Sequence, residues 1–119
     1  AAHYGRDGLV AAALVCQALP AGGVPLRSLA DALPRLCMVK TKLARPEESW
    51  DRTAPRLRAA FPDHAADEAD GLRLSRDEEW VHIRASGTEP VVRVIAESPG
   101  EPRTRELIER ARRVLQPAT

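Results

Sequence analysis

A chain of 119 residues has room for one compact domain with an appendage and is too short for an ordinary multi-domain enzyme. Its 18 basic and 17 acidic residues nearly cancel, which argues against a sequence-independent binder of nucleic acid or of a membrane surface. With Trp50, Trp80, Tyr4 and Phe61 as the only aromatic residues, a core must be built from Leu, Val, Ile and Ala.

Asp7 can cap a helix predicted over residues 8–19, which Pro20 and Gly22-Gly23 should end. That helix is apolar on nearly every side, so it is expected to be buried on more than one. Pro25 and Pro34 bracket a short helix with Leu26, Leu29, Ala30 and Leu33 at spacings of three and four. Residues 36–43 alternate, with Val39 and Thr41 on one side and Lys40 and Lys42 on the other, as in a half-exposed strand joining two units. Residues 46–61 read as helical, with a kink or restart expected at Pro55. Residues 65–69, 72–75, 80–84 and 91–96 read as up to four strands, with a hairpin turn at 76–79. A final helix should begin at Pro102 and bury Leu107, Ile108, Ala111, Val114 and Leu115. Together these predict an α+β unit over about 36–116: an antiparallel sheet of about four strands with helices on one face.

Cys16 and Cys37 are too far apart for a CxxC motif and sit among apolar residues, which predicts buried free thiols in a reducing cytoplasm. His3, His64 and His82 lack metal-ligand spacing and are expected as surface or strand histidines, so no metal site is predicted in the chain. The longest apolar run, Leu9 to Cys16, is eight residues, too short to span a bilayer and without the flanks of a signal sequence. The expectation is a soluble protein without a membrane or nucleic-acid partner.

Anion-binding chemistry concentrates at Arg84-Ala85-Ser86-Gly87-Thr88-Glu89-Pro90, with Arg93 three residues later. Two guanidinium groups can fork onto phosphate oxygens and two hydroxyls can donate to them. Gly87 lets the backbone turn its N–H groups inward. The predicted phosphate ligands are Arg84, Ser86, Gly87, Thr88 and Arg93, with Glu89 anchoring the loop. The competing reading is an ordinary turn in which Arg84 and Arg93 pair with Glu89 and Glu97. Trp80 and His82 share the Arg84 side of their strand, and Lys40 and Lys42 can add positive potential nearby or stand as plain solvated lysines.

At Asp70-Gly71-Leu72, Trp80-Val81-His82-Ile83-Arg84, Ser86-Gly87-Thr88-Glu89-Pro90 and Val92-Arg93-Val94 the chain resembles the C-terminal domain of the α-D-phosphohexomutases. The Gly5-Arg6-Asp7-Gly8-Leu9-Val10 and Met38-Val39-Lys40-Thr41-Lys42-Leu43 segments resemble the end of that family's third domain and the strand leading out of it. The resemblance implies residues 1–36 as the helical tail of a third α/β domain, 37–46 as a connecting strand and hinge, and 47–119 as a phosphate-binding domain of TATA-box-binding-protein-like fold. It also implies a parent isomerase that moves a phosphoryl group between the 1- and 6-positions of a hexose through a bisphosphorylated intermediate, with glucosamine or mannose phosphate the foremost substrates. A phosphoserine and a Mg²⁺ held by an aspartate-rich loop would lie in other domains. This chain has no Asp-x-Asp-x-Asp segment and no catalytic residue, so alone it is expected to be an inactive fragment. Its expected partners are the hexose phosphate or bisphosphate, the remaining domains, and a second copy through the apolar helix at 8–19. The alternative is a free-standing, non-catalytic module that binds a phosphorylated ligand or a protein.

Overall fold

Apolar alternation in the second half of the chain does produce strands. The computed structural model describes residues 7–117, which fall into two units divided between Pro34 and Arg35. The Gly5-Arg6 segment and His3 lie outside the described residues. No helix among the described residues is long and apolar enough to cross a membrane.

The first unit holds α1 (Gly8–Gly22) and α2 (Leu26–Asp31). The Asp7 carboxylate accepts the N–H groups of Leu9 and Val10 at 3.0 Å each, satisfying two of the four donors a helix start leaves free. Contrary to expectation, α1 continues through Pro20. It stops at Gly23, whose φ of 62° is the left-handed turn that glycine adopts without a Cβ clash. The expected burial of this helix is also corrected: Leu9 is 86% and Leu14 61% exposed, and Cys16 is exposed rather than packed as a small hydrophobe.

The second unit runs β1 (Cys37–Ala44), α3 (Trp50–Ala60), β2 (Ala65–Asp67), β3 (Leu72–Arg76), β4 (Glu79–Ala85), β5 (Val91–Ser98) and α4 (Glu101–Leu115). The sheet has order β1-β5-β4-β3-β2, antiparallel throughout, and so contains five strands rather than about four. The fifth is β1, read from sequence as a link. It pairs with β5 from Cys37 opposite Ser98 to Ala44 opposite Val91, and Thr104 of α4 donates its hydroxyl to the Cys37 carbonyl at 2.9 Å.

One face of the sheet is apolar because alternate residues point the same way. Leu72, Leu74, Val81, Ile83, Val92, Val94 and Ala96 are buried there beneath Ala54 and Leu57 of α3 and Leu107, Ile108, Ala111 and Leu115 of α4. α3 is one helix across Pro55. The missing N–H deprives only the Asp51 carbonyl of its intrahelical partner, so the expected restart does not occur. His64, expected on the surface or in a strand, instead follows α3 with its side chain 1% exposed. It sits edge-on to Phe61 with ring centroids 5.2 Å apart.

Candidate anion-binding site

The face of the sheet that the helices leave open carries the residues that alternate with the buried ones on each strand. On β4 these are Trp80, His82 and Arg84, on β5 Arg93, Ile95 and Glu97, and on β1 Met38, Lys40 and Lys42. Register turns them into rows. Lys42 lies opposite Arg93, and Arg93 opposite Arg84, so three cations stand on three adjacent strands. The next row is Lys40, Ile95, His82 and Arg73. Like charges directly across a ladder repel, so the first row favours an anion held over it.

Arg84 Nη1 donates to Asp70 Oδ2 at 2.8 Å. Lys42 Nζ donates to Glu89 Oε2 at 2.9 Å, and this bond, reinforced by the lysine's charge, lowers the Glu89 pKa below the usual carboxylate range. Among the described residues the Arg93 side chain makes no ion pair or hydrogen bond, although its backbone is part of the sheet. The pairing of Arg84 and Arg93 with Glu89 and Glu97 is therefore not what forms: Glu89 takes Lys42, and Glu97 accepts from the indole N–H of Trp80 at 3.1 Å. The Arg73 guanidinium lies over the Trp80 ring, 4.5 Å from its centre.

Gly71 precedes β3 with φ of 76°, and a Cβ there would stand 2.5 Å from the Ile83 carbonyl oxygen. Only glycine allows this approach. The passage brings Asp70 to Arg84 and places the Asp70 carbonyl 2.6 Å from His82 Nε2. A carbonyl can only accept, so Nε2 carries the donated proton.

Between β4 and β5 the loop exposes Gly87, Thr88, Glu89 and Pro90, while Ser86 is 6% exposed. Ser86 Oγ accepts from the N–H groups of Thr88 and Glu89 at 3.4 and 3.3 Å. Of the predicted phosphate ligands, the structure thus brings Arg84, Gly87, Thr88 and Arg93 to one accessible end of the sheet and sets Ser86 beneath them. Sequence reasoning missed Arg45, whose Nη2 donates to the Ser86 carbonyl at 2.7 Å. Nothing in the local spacing announces a contact between residues forty-one positions apart.

Beside the cationic row lies a concavity of about 570 Å³ lined by Lys40, Thr41, Lys42, Arg93 and Ile95. A second hollow, about 380 Å³, lies at the opposite end of β4 among Arg76, Asp77, Glu78, Glu79, Pro99 and Arg103, where the charges are mixed. Of these two, the first is lined by cationic side chains without an acidic one. Among the described residues no three His, Cys, Asp or Glu side chains converge as metal ligands.

Residues 38–114 match the model of the phosphoglucomutase/phosphomannomutase C-terminal domain. The chain is 36% identical to a protein of Methanopyrus kandleri described as a probable phosphoglucosamine mutase, over 88% of this chain and 24% of that protein. It is 34% identical to a phosphoglucomutase/phosphomannomutase of Thermococcus kodakarensis, over 96% of this chain and 25% of the other. The chain therefore spans about a quarter of the length of these curated relatives. In structure it resembles a phosphoglucomutase/phosphomannomutase family protein from Burkholderia thailandensis, with a TM-score of 0.67 and 24% identity, over 98% of this chain and 26% of that one. That likeness establishes the fold.

Proposed function

The chain belongs to the phosphoglucomutase/phosphomannomutase family, whose C-terminal domain it contains, and from this premise we propose that its cationic row and the adjoining loop hold the non-reacting phosphate of a hexose phosphate. The observation that carries the reading is the adjacency of Lys42, Arg93 and Arg84 on the open face beside the exposed loop residues Gly87 and Thr88. In the proposed parent enzyme a phosphoryl group moves between the two ends of the sugar. This chain supplies the grip on the end that is not reacting. Binding energy realised at that remote phosphate draws the reacting end into line, so its loss lowers turnover as well as affinity.

Within the site, Arg84 and Arg93 supply charge and directed N–H groups, and Thr88 and Gly87 supply a hydroxyl and an amide. Ser86 shapes the loop through the two amides its oxygen receives, and Glu89 ties it to β1 through Lys42. Phosphate must share or displace Asp70 at Arg84, an exposed pair that costs little to open. The Mg²⁺ of the proposed parent finds no ligand set among the described residues. The proposed substrates are hexose 1- and 6-phosphates, with the glucosamine and mannose esters foremost because similar proteins are named for them.

Arg84→Ala in the full-length parent tests the reading. One charge-assisted hydrogen bond contributes about 1.5–3 kcal/mol, so kcat/KM should fall by about one to two orders of magnitude. An unchanged value would remove Arg84 from the site. Tight, selective binding of a phosphosugar by the 119-residue chain alone would favour the free-standing module instead.

A further inference from the structure

We infer that Arg45 is a positioning residue that aims the Gly87 N–H at the bound anion, an inference that rests on the phosphate-holding role proposed above. Arg45 directly follows β1, and the β1–β5 register, which ends with Ala44 opposite Val91, carries it to the level of Pro90. There its backbone N–H donates to the Pro90 carbonyl at 3.0 Å. Its guanidinium reaches further and donates from Nη2 to the Ser86 carbonyl at 2.7 Å. One residue of the neighbouring strand segment thus grips both the entrance and the exit of the loop, which the Ser86 N–H closes by donating to the Val91 carbonyl at 2.9 Å.

A trans peptide group points its C=O and the following N–H in opposite directions, and no cis peptide bond occurs among the described residues. Drawing the Ser86 carbonyl toward Arg45 therefore turns the Gly87 N–H away from it. Arg45 continues the alternation of Val39, Thr41 and Leu43 on the helix-covered side, and it lines a hollow there with Trp50, Thr53 and Val92. Arg84 and Arg93 stand on the other side. The Gly87 amide has no acceptor among the described residues, and on this inference it faces the arginine side. A cation on the carbonyl oxygen also polarises the peptide group and strengthens its N–H as a donor.

The experiment is an NMR titration of the 119-residue chain with inorganic phosphate, following the Gly87 amide and the Arg84 Nε signals in wild type, Arg45→Met, Arg45→Lys and Arg84→Ala. Wild type should show phosphate-dependent shifts at both positions. Arg45→Met should keep the Arg84 response, lose at least half of the Gly87 shift and bind phosphate about three- to tenfold more weakly. Arg45→Lys keeps the charge without the planar fork and should fall between the two; it also serves if the methionine variant does not fold. Full Gly87 shifts and wild-type affinity in the folded Arg45 variants, with binding lost in Arg84→Ala, would overturn the role of Arg45 alone. No response in wild type, or none lost in Arg84→Ala, would overturn the phosphate-holding reading beneath it.

Discussion

A methyl group at position 71 has nowhere to go. It would meet the Ile83 carbonyl oxygen at 2.5 Å and the Arg84 Cα at 3.1 Å, on a backbone with φ of 76°. Gly71→Ala should therefore destabilise the fold by about 2 kcal/mol or more, read as a lower urea midpoint, because left-handed strain and a backbone clash add. An unchanged midpoint would show that the chain detours there freely. The position matters to the site because the close pass delivers Asp70 to Arg84. At this scale the sequence announced the two arginines, since strand alternation on either side of a short loop puts Arg84 and Arg93 on one face. It could not announce Asp70, Arg45 or the sinking of Ser86 below the surface. Each of those depends on contacts between distant residues, which spacing does not encode.

Among elements, the ones with a clear period were legible. α4 buries four of its five predicted apolar residues, Leu107, Ile108, Ala111 and Leu115, and Val114 packs against the core from a partly exposed position. The hairpin from β3 to β4 turns at Asp77 and Glu78. A single residue is a weak guide to where an element ends. A stop is expected at Pro20 and a kink or restart at Pro55, yet each proline costs only one backbone bond, and neither the stop nor the restart occurs where the other residues favour the helix. β1 looked like a link because its polar side is as evident as its apolar one, which is how a strand with one open face should look. α1 is apolar all round and uncovered among the described residues, with Leu9, Val10, Leu14 and Val15 exposed. An apolar surface of that kind draws partners. Sedimentation of the 119-residue chain should show mass rising with concentration, and Leu14→Lys should reduce the effect. A wild-type monomer at every concentration would mean that the helix is harmless in water.

For the molecule as a whole, the cluster around the buried His64 side chain should set the response to acid. Glu79 of β4 accepts from Arg103 of α4 through both carboxylate oxygens at 2.7 Å, and Arg103 also holds Glu106 at 2.8 Å. His64 Nε2 stands 3.1 Å from Glu79 Oε1, in ion-pair but not hydrogen-bonding geometry. Burial lowers the His64 pKa below its ordinary 6.5, opposed by Glu79 and aided by Arg103 and Arg110. The unfolded chain thus takes up its proton near 6.5 while the folded chain resists until lower pH. Unfolding binds protons across that window, and stability falls as pH drops through it. Glu79, whose pKa its bond to Arg103 lowers, extends the loss below its ordinary 4.5. Urea midpoints measured from about pH 7.5 to 5 should decline toward acid, and His64→Phe should flatten the upper part of that decline. A profile level through this range in wild type would place the imidazole in water.

The rims of the sheet have a consequence for how copies meet. At one rim β2 is three residues long and is followed by Glu68, so it offers few free backbone groups to an incoming strand. At the other, β1 displays Lys40 and Lys42 and gives way to Arg45-Pro46, where proline has no N–H to contribute. Short length, lysine and proline are each a means of refusing strand addition. A domain with one bare sheet face should thereby resist stitching itself rim to rim into fibrils.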